Sequence, residues 1–174
     1  VILSAQCTDE RVNKVTPGLF KRFKSIKDLA YADLDDVKDC IKSVNFFNNK
    51  SKNIIETARL IHEQYNDIVP NELDQLILFP GVGRKTANVV LGQAFDKPGI
   101  TVDTHVKRVS RRMGFSNQED PVKIEKDLMK VWDINTWIDF STVMILHGRH
   151  ICKSRKPNCR DCLCLSYCLQ KYIK

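Results

Sequence analysis

Long apolar runs, repeats and strand-like alternation are all missing from this sequence of 174 residues. No stretch reaches the ~18 consecutive apolar residues that a membrane-spanning helix needs, which excludes a membrane anchor. No secretion signal or low-complexity tract is visible. The first residue is not methionine, and Val1-Ile2-Leu3 is typical of a helix interior. We therefore expect residues upstream of Val1 to be missing.

Cysteine is used unevenly along the chain. Seven cysteines are an odd number, which argues against a complete set of disulfides. Three of them, Cys7, Cys40 and Cys164, lie outside any pattern, whereas the other four cluster near the C-terminus. This usage is typical of an intracellular metal-binding chain and excludes a disulfide-stapled secreted protein.

The composition is that of a folded protein with a basic excess. Hydrophobic residues make up 43% and charged residues 28%, and the length allows one large domain or two small ones. The net charge is +7 and the sequence pI is ≈ 9.1. A basic excess favours an anionic partner, but a solvated basic surface gives the same number, so the position of the charges has to decide.

Apolar periodicity predicts an all-α fold. The predicted helices cover residues 10–23, 25–41, 51–65, 72–78, 84–95, 104–113, 121–132 and 137–148. Residues 45–49 are predicted to form a polar-aromatic loop. Lysine, proline and glycine at 97–99 form the clearest hinge, so we place two domains at residues 1–98 and 99–174.

A glycine turn, residues 79–83, joins two of these helices. Two glycines one residue apart permit unusual backbone angles and leave amide groups unshielded, and the helix that follows adds its positive end. An ordinary turn between packed helices is the alternative. Against it, Arg84 and Lys85 occupy the first helical turn, where the dipole disfavours each cation by ~0.3–1 kcal/mol. This placement favours a bound phosphate backbone.

Lys85 is a candidate nucleophile. The following helix has a predicted core stripe at Ala87, Val90, Leu91 and Ala94, and Lys85 projects away from it, alongside Asn88 and Gly92. The helix dipole and Arg84 should favour the neutral amine, which is the nucleophilic form. A surface lysine that only contacts phosphate remains the alternative. Asp103 is a second candidate, although an aspartate at a helix start is also a preferred N-cap, and both roles can coexist.

Four cysteines follow the spacing C-x6-C-x2-C-x5-C: Cys152, Cys159, Cys162 and Cys168. Four thiolates this close can hold zinc or an iron–sulfur cluster. The single C-x2-C pair with two longer arms favours the cluster, without excluding zinc. The intervening basic loop, residues 153–158, carries Lys153, Arg155 and Lys156, with Arg160 just beyond it, and its charge suits a phosphate backbone.

Together these segments resemble the endonuclease III family of helix-hairpin-helix DNA glycosylases and AP lyases. The resemblance covers essentially the whole chain. It rests on Leu3-Ser4-Ala5-Gln6, Pro80 to Val90, Val102-Asp103-Thr104-His105, Leu146-His147-Gly148-Arg149 and the cysteine spacing.

The resemblance implies a six-helix barrel domain bearing the hairpin and a helical domain that holds a [4Fe-4S] cluster on the four cysteines. It implies that Lys85 attacks C1′ of an oxidised pyrimidine nucleotide that has been flipped out of the duplex, with help from Asp103, and that β-elimination then cuts the strand. Gln6 would fill the gap that the flipped base leaves in the duplex, and Phe46 would intercalate on the opposite side. The residues assigned to DNA are Gln6, Phe46, Gly81, Val82, Gly83, Arg84, Lys153, Arg155 and Lys156.

The resemblance also marks departures and alternatives. The family's N-terminal helix is not represented, Phe46-Phe47 is more apolar than expected for the wedge, and Cys7 stands where alanine is more usual. An adenine glycosylase shares the hairpin, aspartate and cluster but typically lacks the lysine. A non-catalytic DNA-binding module would use only the hairpin and the basic loop. We expect an intracellular monomer that binds damaged or abasic duplex DNA. If the source is bacterial, the expected location is the cytoplasm or nucleoid.

Overall fold

The computed structural model describes residues 1–173. Within them the chain contains helices and no strand, so the all-α prediction is confirmed. The helices are α1 Asp9–Arg22, α2 Ile26–Ala30, α3 Leu34–Ile41, α4 Phe47–Tyr65, α5 Leu73–Leu76, α6 Arg84–Ala94, α7 Thr104–Met113, α8 Pro121–Val131 and α9 Trp137–His150. Three short 3-10 helices cover Ile2–Ser4, Ile134–Thr136 and Leu165–Tyr167. None of the helices in this part of the chain is long and apolar enough to cross a membrane.

Side-chain caps set most of the helix starts. Thr8 accepts a hydrogen bond from the Arg11 N–H at the start of α1, and Asp120 accepts one from Lys123 at the start of α8. Ser25 and Asp28 form a reciprocal capping box at α2. Because the cap residue supplies an acceptor to orphan N–H groups, these starts were readable from the sequence.

Two predicted boundaries are wrong. The single helix predicted for residues 25–41 is two helices, because Asp33 accepts hydrogen bonds from the N–H groups of Asp35 and Asp36 and starts α3 anew. The loop predicted for residues 45–49 is mostly the first turn of α4, which begins at Phe47 rather than at Ser51. Phe46 adopts the left-handed conformation just before it, with φ 58°.

The chain divides into two compact units, the first covering Val1–Val90 and the second beginning at Leu91. The division falls inside α6, whereas the sequence places it after residue 98. The assignment of the two units as a barrel domain and a cluster domain stays a prediction. In the first unit, α2 and α3 pack against α4, and α1 packs against α3. Its core contains Leu19, Val37, Ile41, Val44 and Ile54, each at most 9% exposed.

The second unit is built around α7. Val106, Val109, Ile124 and Leu128 are fully buried in its core, and α7 crosses α9 closely at Gly148. A Cβ atom on Gly148 would lie 2.9 Å from the His105 Cβ. The Leu-His-Gly-Arg segment therefore contains the glycine that lets the two helices approach, and this approach fixes the start of α7.

Candidate nucleic-acid interface

The glycine turn has one glycine that the backbone requires. Gly81 has φ +75°, and a Cβ atom there would lie 2.6 Å from the Asn53 Nδ2. The Val82 N–H donates to the Phe79 carbonyl at 3.0 Å and closes the turn. Since positive φ and close packing both exclude a side chain, Gly81 is a structural necessity.

Gly83 is different. Its φ lies outside the left-handed region, and a Cβ atom built on it would meet no heavy atom within 4 Å. Gly83 is exposed, and its carbonyl accepts the first helical hydrogen bond of α6, from Ala87, at 2.9 Å. Neither a positive φ nor close packing therefore requires glycine at position 83. An open surface at a helix N-terminus is what a phosphate group needs in order to approach the backbone.

Lys85 lies in the first turn of α6 and is exposed, while Ala87 and Leu91 on the same helix are buried. The predicted core stripe is confirmed at those two positions and is wrong at Ala94, which is exposed. Asn88, expected on the open side, is only 6% exposed. The open surface around Lys85 is therefore narrower than the sequence suggested, because Asn88 faces the packed interior.

Asp103 is the N-cap of α7, as predicted. Its Oδ1 accepts hydrogen bonds from the N–H groups of His105 and Val106, both at 2.8 Å. Its Oδ2 lies 2.9 Å from the His105 Nδ1. The carboxylate is 10% exposed, so the helix start and the imidazole together hold it in one orientation. The contact with His105 was missed by the sequence analysis, although an i, i+2 histidine beside a cap residue is a usable signal.

Gln6 and Phe46 lie on neighbouring segments of the first unit. Both are exposed, and both adopt positive φ, 53° and 58°. The Asn45 side chain donates from Nδ2 to the Gln6 carbonyl at 2.8 Å. The two residues that the sequence assigned to gap filling and intercalation are thus joined through a short polar contact.

The four predicted ligand cysteines line one pocket, together with His147 and Cys164. Cys152 is buried, and the other three are partly buried. Arg112 donates to the Cys152 Sγ at 3.4 Å, and the Gln170 N–H donates to the Cys168 Sγ at 3.4 Å. Donors aimed at sulfur are what thiolate ligands require, so this donor set fits an iron–sulfur cluster.

Within residues 1–173, no three histidine, cysteine or acidic side chains are arranged to hold a metal ion. Cys164 lines the same pocket, and burial, followed by the neighbouring Cys162, raises the pKa of its thiol. Both effects disfavour the thiolate form that ligation requires.

The basic loop is anchored by Arg112. This buried side chain, 7% exposed, donates to the carbonyls of Lys153 at 2.6 Å and Ser154 at 2.9 Å. Lys153, Arg155 and Lys156 are exposed. Arg112 was missed by the sequence analysis because its partners lie about forty positions away. The sequence does contain one sign of this role: Arg108 and Arg112 lie one turn apart on a helix that otherwise contributes to the core.

The comparisons with known proteins now bear on this geometry. A family model described as "HhH-GPD superfamily base excision DNA repair protein" matches residues 1–133. The endonuclease III of Synechocystis sp. is 51% identical over 168 residues, covering 96% of this chain and 77% of the relative. The chain belongs to the endonuclease III family. The endonuclease III of Escherichia coli K12 is 42% identical over 171 residues, covering 98% of this chain and 81% of the relative.

Solved structures agree with the endonuclease III assignment. A trapped endonuclease III–DNA covalent intermediate matches with a TM-score of 0.89 at 42% identity, covering 97% of this chain and 80% of that one. A thermostable thymine-DNA glycosylase matches with a TM-score of 0.86 at 25% identity, covering 97% and 80%. The chain is a DNA-binding, base-excision-repair DNA glycosylase with AP lyase activity.

Proposed function

We propose that this protein removes oxidised pyrimidines from duplex DNA and then cuts the strand 3′ of the abasic site, with Lys85 as the nucleophile. The observation that carries the proposal is the position of Lys85. It is exposed in the first turn of α6, two residues beyond a glycine whose surface is open. A similar endonuclease III has been trapped as a covalent intermediate with DNA, which supports an enzyme nucleophile in this family.

The reaction follows from amine chemistry. The Lys85 Nζ forms a bond to C1′, and the bond from C1′ to the base breaks, with the base leaving with the electron pair. Loss of a proton from nitrogen and opening of the sugar ring give a C1′ imine. A C2′ proton is then removed, and the bond from C3′ to its oxygen breaks with the phosphate as leaving group. Water finally hydrolyses the imine and regenerates Lys85.

Asp103 assists by charge. Its carboxylate is held by two backbone N–H groups and by His105, so its orientation is set before substrate arrives. We infer that it accepts a proton from the Lys85 amine or stabilises the positive charge that develops at C1′. A fixed carboxylate does either without reorganisation during the reaction.

The DNA contacts divide into two kinds. Gly81, Val82, Gly83 and Arg84 at the glycine turn, and Lys153, Arg155 and Lys156 in the basic loop, would contact phosphates and position the duplex. Gln6 and Phe46 would occupy the space left when the damaged nucleotide is flipped out. Val82 and Arg84 are half-buried, and the other residues assigned to DNA are exposed.

We also assign a [4Fe-4S] cluster to Cys152, Cys159, Cys162 and Cys168. A cluster on these four cysteines would cross-link the end of α9 to the C-terminal segment, and Arg112 holds the intervening basic loop. Cluster thiolates also fit a reducing compartment, so we infer an intracellular location. The protein is inferred to act as a monomer.

Borohydride trapping on duplex DNA with an abasic site tests the nucleophile. The wild-type protein should give a covalent adduct, and Lys85→Ala should give none. Lys21→Ala, which removes an exposed lysine from α1, is the matched control and should trap like the wild type. Release of adenine from a separate mispaired duplex, with no adduct on the abasic duplex, would favour the adenine glycosylase alternative. Tight binding to the abasic duplex with neither result would favour a non-catalytic module.

A further inference from the structure

Two exposed side chains in the first unit have backbone angles that their residue types seldom adopt. Neither Gln6 nor Phe46 is a glycine, yet both have positive φ. A bulky residue such as phenylalanine is an outlier there. Phe46 is also 62% exposed, so folding gains little from burying its ring. Backbone strain that side-chain burial does not offset is typical of residues with a functional role.

Lys50 bridges the two segments that carry these residues. Its Nζ donates to the carbonyls of Leu3 at 2.8 Å and Ala5 at 2.5 Å, and its N–H donates to the Phe46 carbonyl at 3.0 Å. Asn45 adds the hydrogen bond to the Gln6 carbonyl. We call the side chains of Asn45 and Lys50 the clasp.

Burying the Lys50 ammonium group costs free energy, and a side chain that only links two segments would not need to be buried in this way. Lys50 is only 5% exposed, and burial lowers the pKa of its ammonium group. A buried cation is tolerated when its donors find partners, and here two of them find carbonyls of the segment that leads into Gln6. The clasp therefore uses one buried ammonium group, that of Lys50, to fix a surface segment.

We infer that Asn45 and Lys50 are positioning residues that hold Gln6 and Phe46 as one rigid unit for opening the duplex at the lesion. The inference rests on the proposed roles of Gln6 and Phe46. Both side chains must enter the base stack together when the damaged nucleotide leaves it. A segment that is already ordered avoids the entropy loss that a loose one would suffer on binding DNA. The clasp should therefore matter for duplex substrates and not for substrates that need no flipping.

Asn45→Asp tests the clasp without a change of size. The carboxylate cannot donate to the Gln6 carbonyl, so the contact is lost. Asn48→Asp is the control, because it places the same negative charge at an exposed position in the first turn of α4. We would measure single-turnover excision of thymine glycol from duplex DNA, and borohydride trapping on a single-stranded abasic oligonucleotide.

Asn45→Asp should slow duplex excision by about tenfold or more relative to Asn48→Asp, with single-strand trapping unchanged. A 2-aminopurine placed beside the lesion should show the same loss, as slower unstacking. Equal rates for the two variants on duplex DNA would overturn the inference, and so would an equal loss on both substrates.

Lys50→Met provides a second route to the same question, since methionine keeps the length of the side chain and removes the donors. It should reproduce the duplex-specific loss. Failure of the proposed function looks different, because the wild-type protein would then fail to trap on the single-stranded oligonucleotide. If the wild type traps and neither variant is selective for duplex DNA, only the clasp is wrong.

Discussion

Asp103 joins two roles in one carboxylate. Its Oδ1 caps α7, and its Oδ2 contacts His105. Because a cap stabilises any helix, the presence of this aspartate does not by itself indicate catalysis. The two roles separate when the charge is removed and the shape is kept.

Asp103→Asn performs that separation. Asparagine caps helices about as well as aspartate, so the free energy of unfolding should change little. Base excision under single-turnover conditions should slow by at least about a hundredfold, because the fixed negative charge is gone. DNA affinity should change much less. Asp103→Ala serves as the stability control and should cost about 0.5–2 kcal/mol through the lost cap. An unchanged excision rate in Asp103→Asn would reduce this residue to a helix cap.

The glycine turn shows how an element divides its residues between folding and binding. Gly81 is required by its φ and by Asn53, whereas Gly83 faces open space. The sequence motif treats the two glycines alike. The structure separates them, and the difference can be measured.

Gly81→Ala should destabilise the protein by about 1–3 kcal/mol, since its side chain is strained in the left-handed region and meets Asn53. Gly83→Ala should lower stability less than Gly81→Ala does, because alanine only replaces glycine as the N-cap residue of α6. It should weaken binding to duplex DNA about tenfold, because the added methyl group stands where a phosphate would approach the backbone. Thermal unfolding and fluorescence anisotropy at fixed salt measure the two effects. If Gly83→Ala binds DNA normally, the turn is only a connection between helices.

Local patterns predicted the elements well where the decisive partner lies nearby. The bounds of α7 and the Asp103 cap were readable because each depends on residues within one turn. The break before α3 was missed because Asp33 competes with a continuous apolar pattern. The roles of Arg112 and Lys50 could not be predicted, since their carbonyl partners all lie more than forty residues away in sequence. The exposure of Ala94 and the burial of Asn88 likewise depend on tertiary packing.

At the scale of the whole molecule, the net charge of +7 leaves open where DNA binds. The basic loop is a candidate because Arg112 fixes its backbone while three of its cations stay exposed. Other exposed lysines carry the same charge without such an anchor. Salt dependence distinguishes a local contact from a general attraction.

Replacing Arg155 and Lys156 together by glutamine should flatten the slope of log affinity against log salt by about two units, one for each lost phosphate contact. Replacing Lys21 and Lys24 by glutamine removes the same net charge from the other unit and should leave the slope nearly unchanged. Titrations of one duplex at several salt concentrations measure both. Equal slopes for the two double variants would remove the basic loop from the interface.

The left-handed backbone at Phe46 has a consequence for natural variation. A glycine there would relieve the backbone, so selection for stability alone would favour glycine at this position. Active lineages should instead keep a large side chain at this position despite its cost. At position 46 the demands of folding and those of the proposed wedge therefore oppose each other.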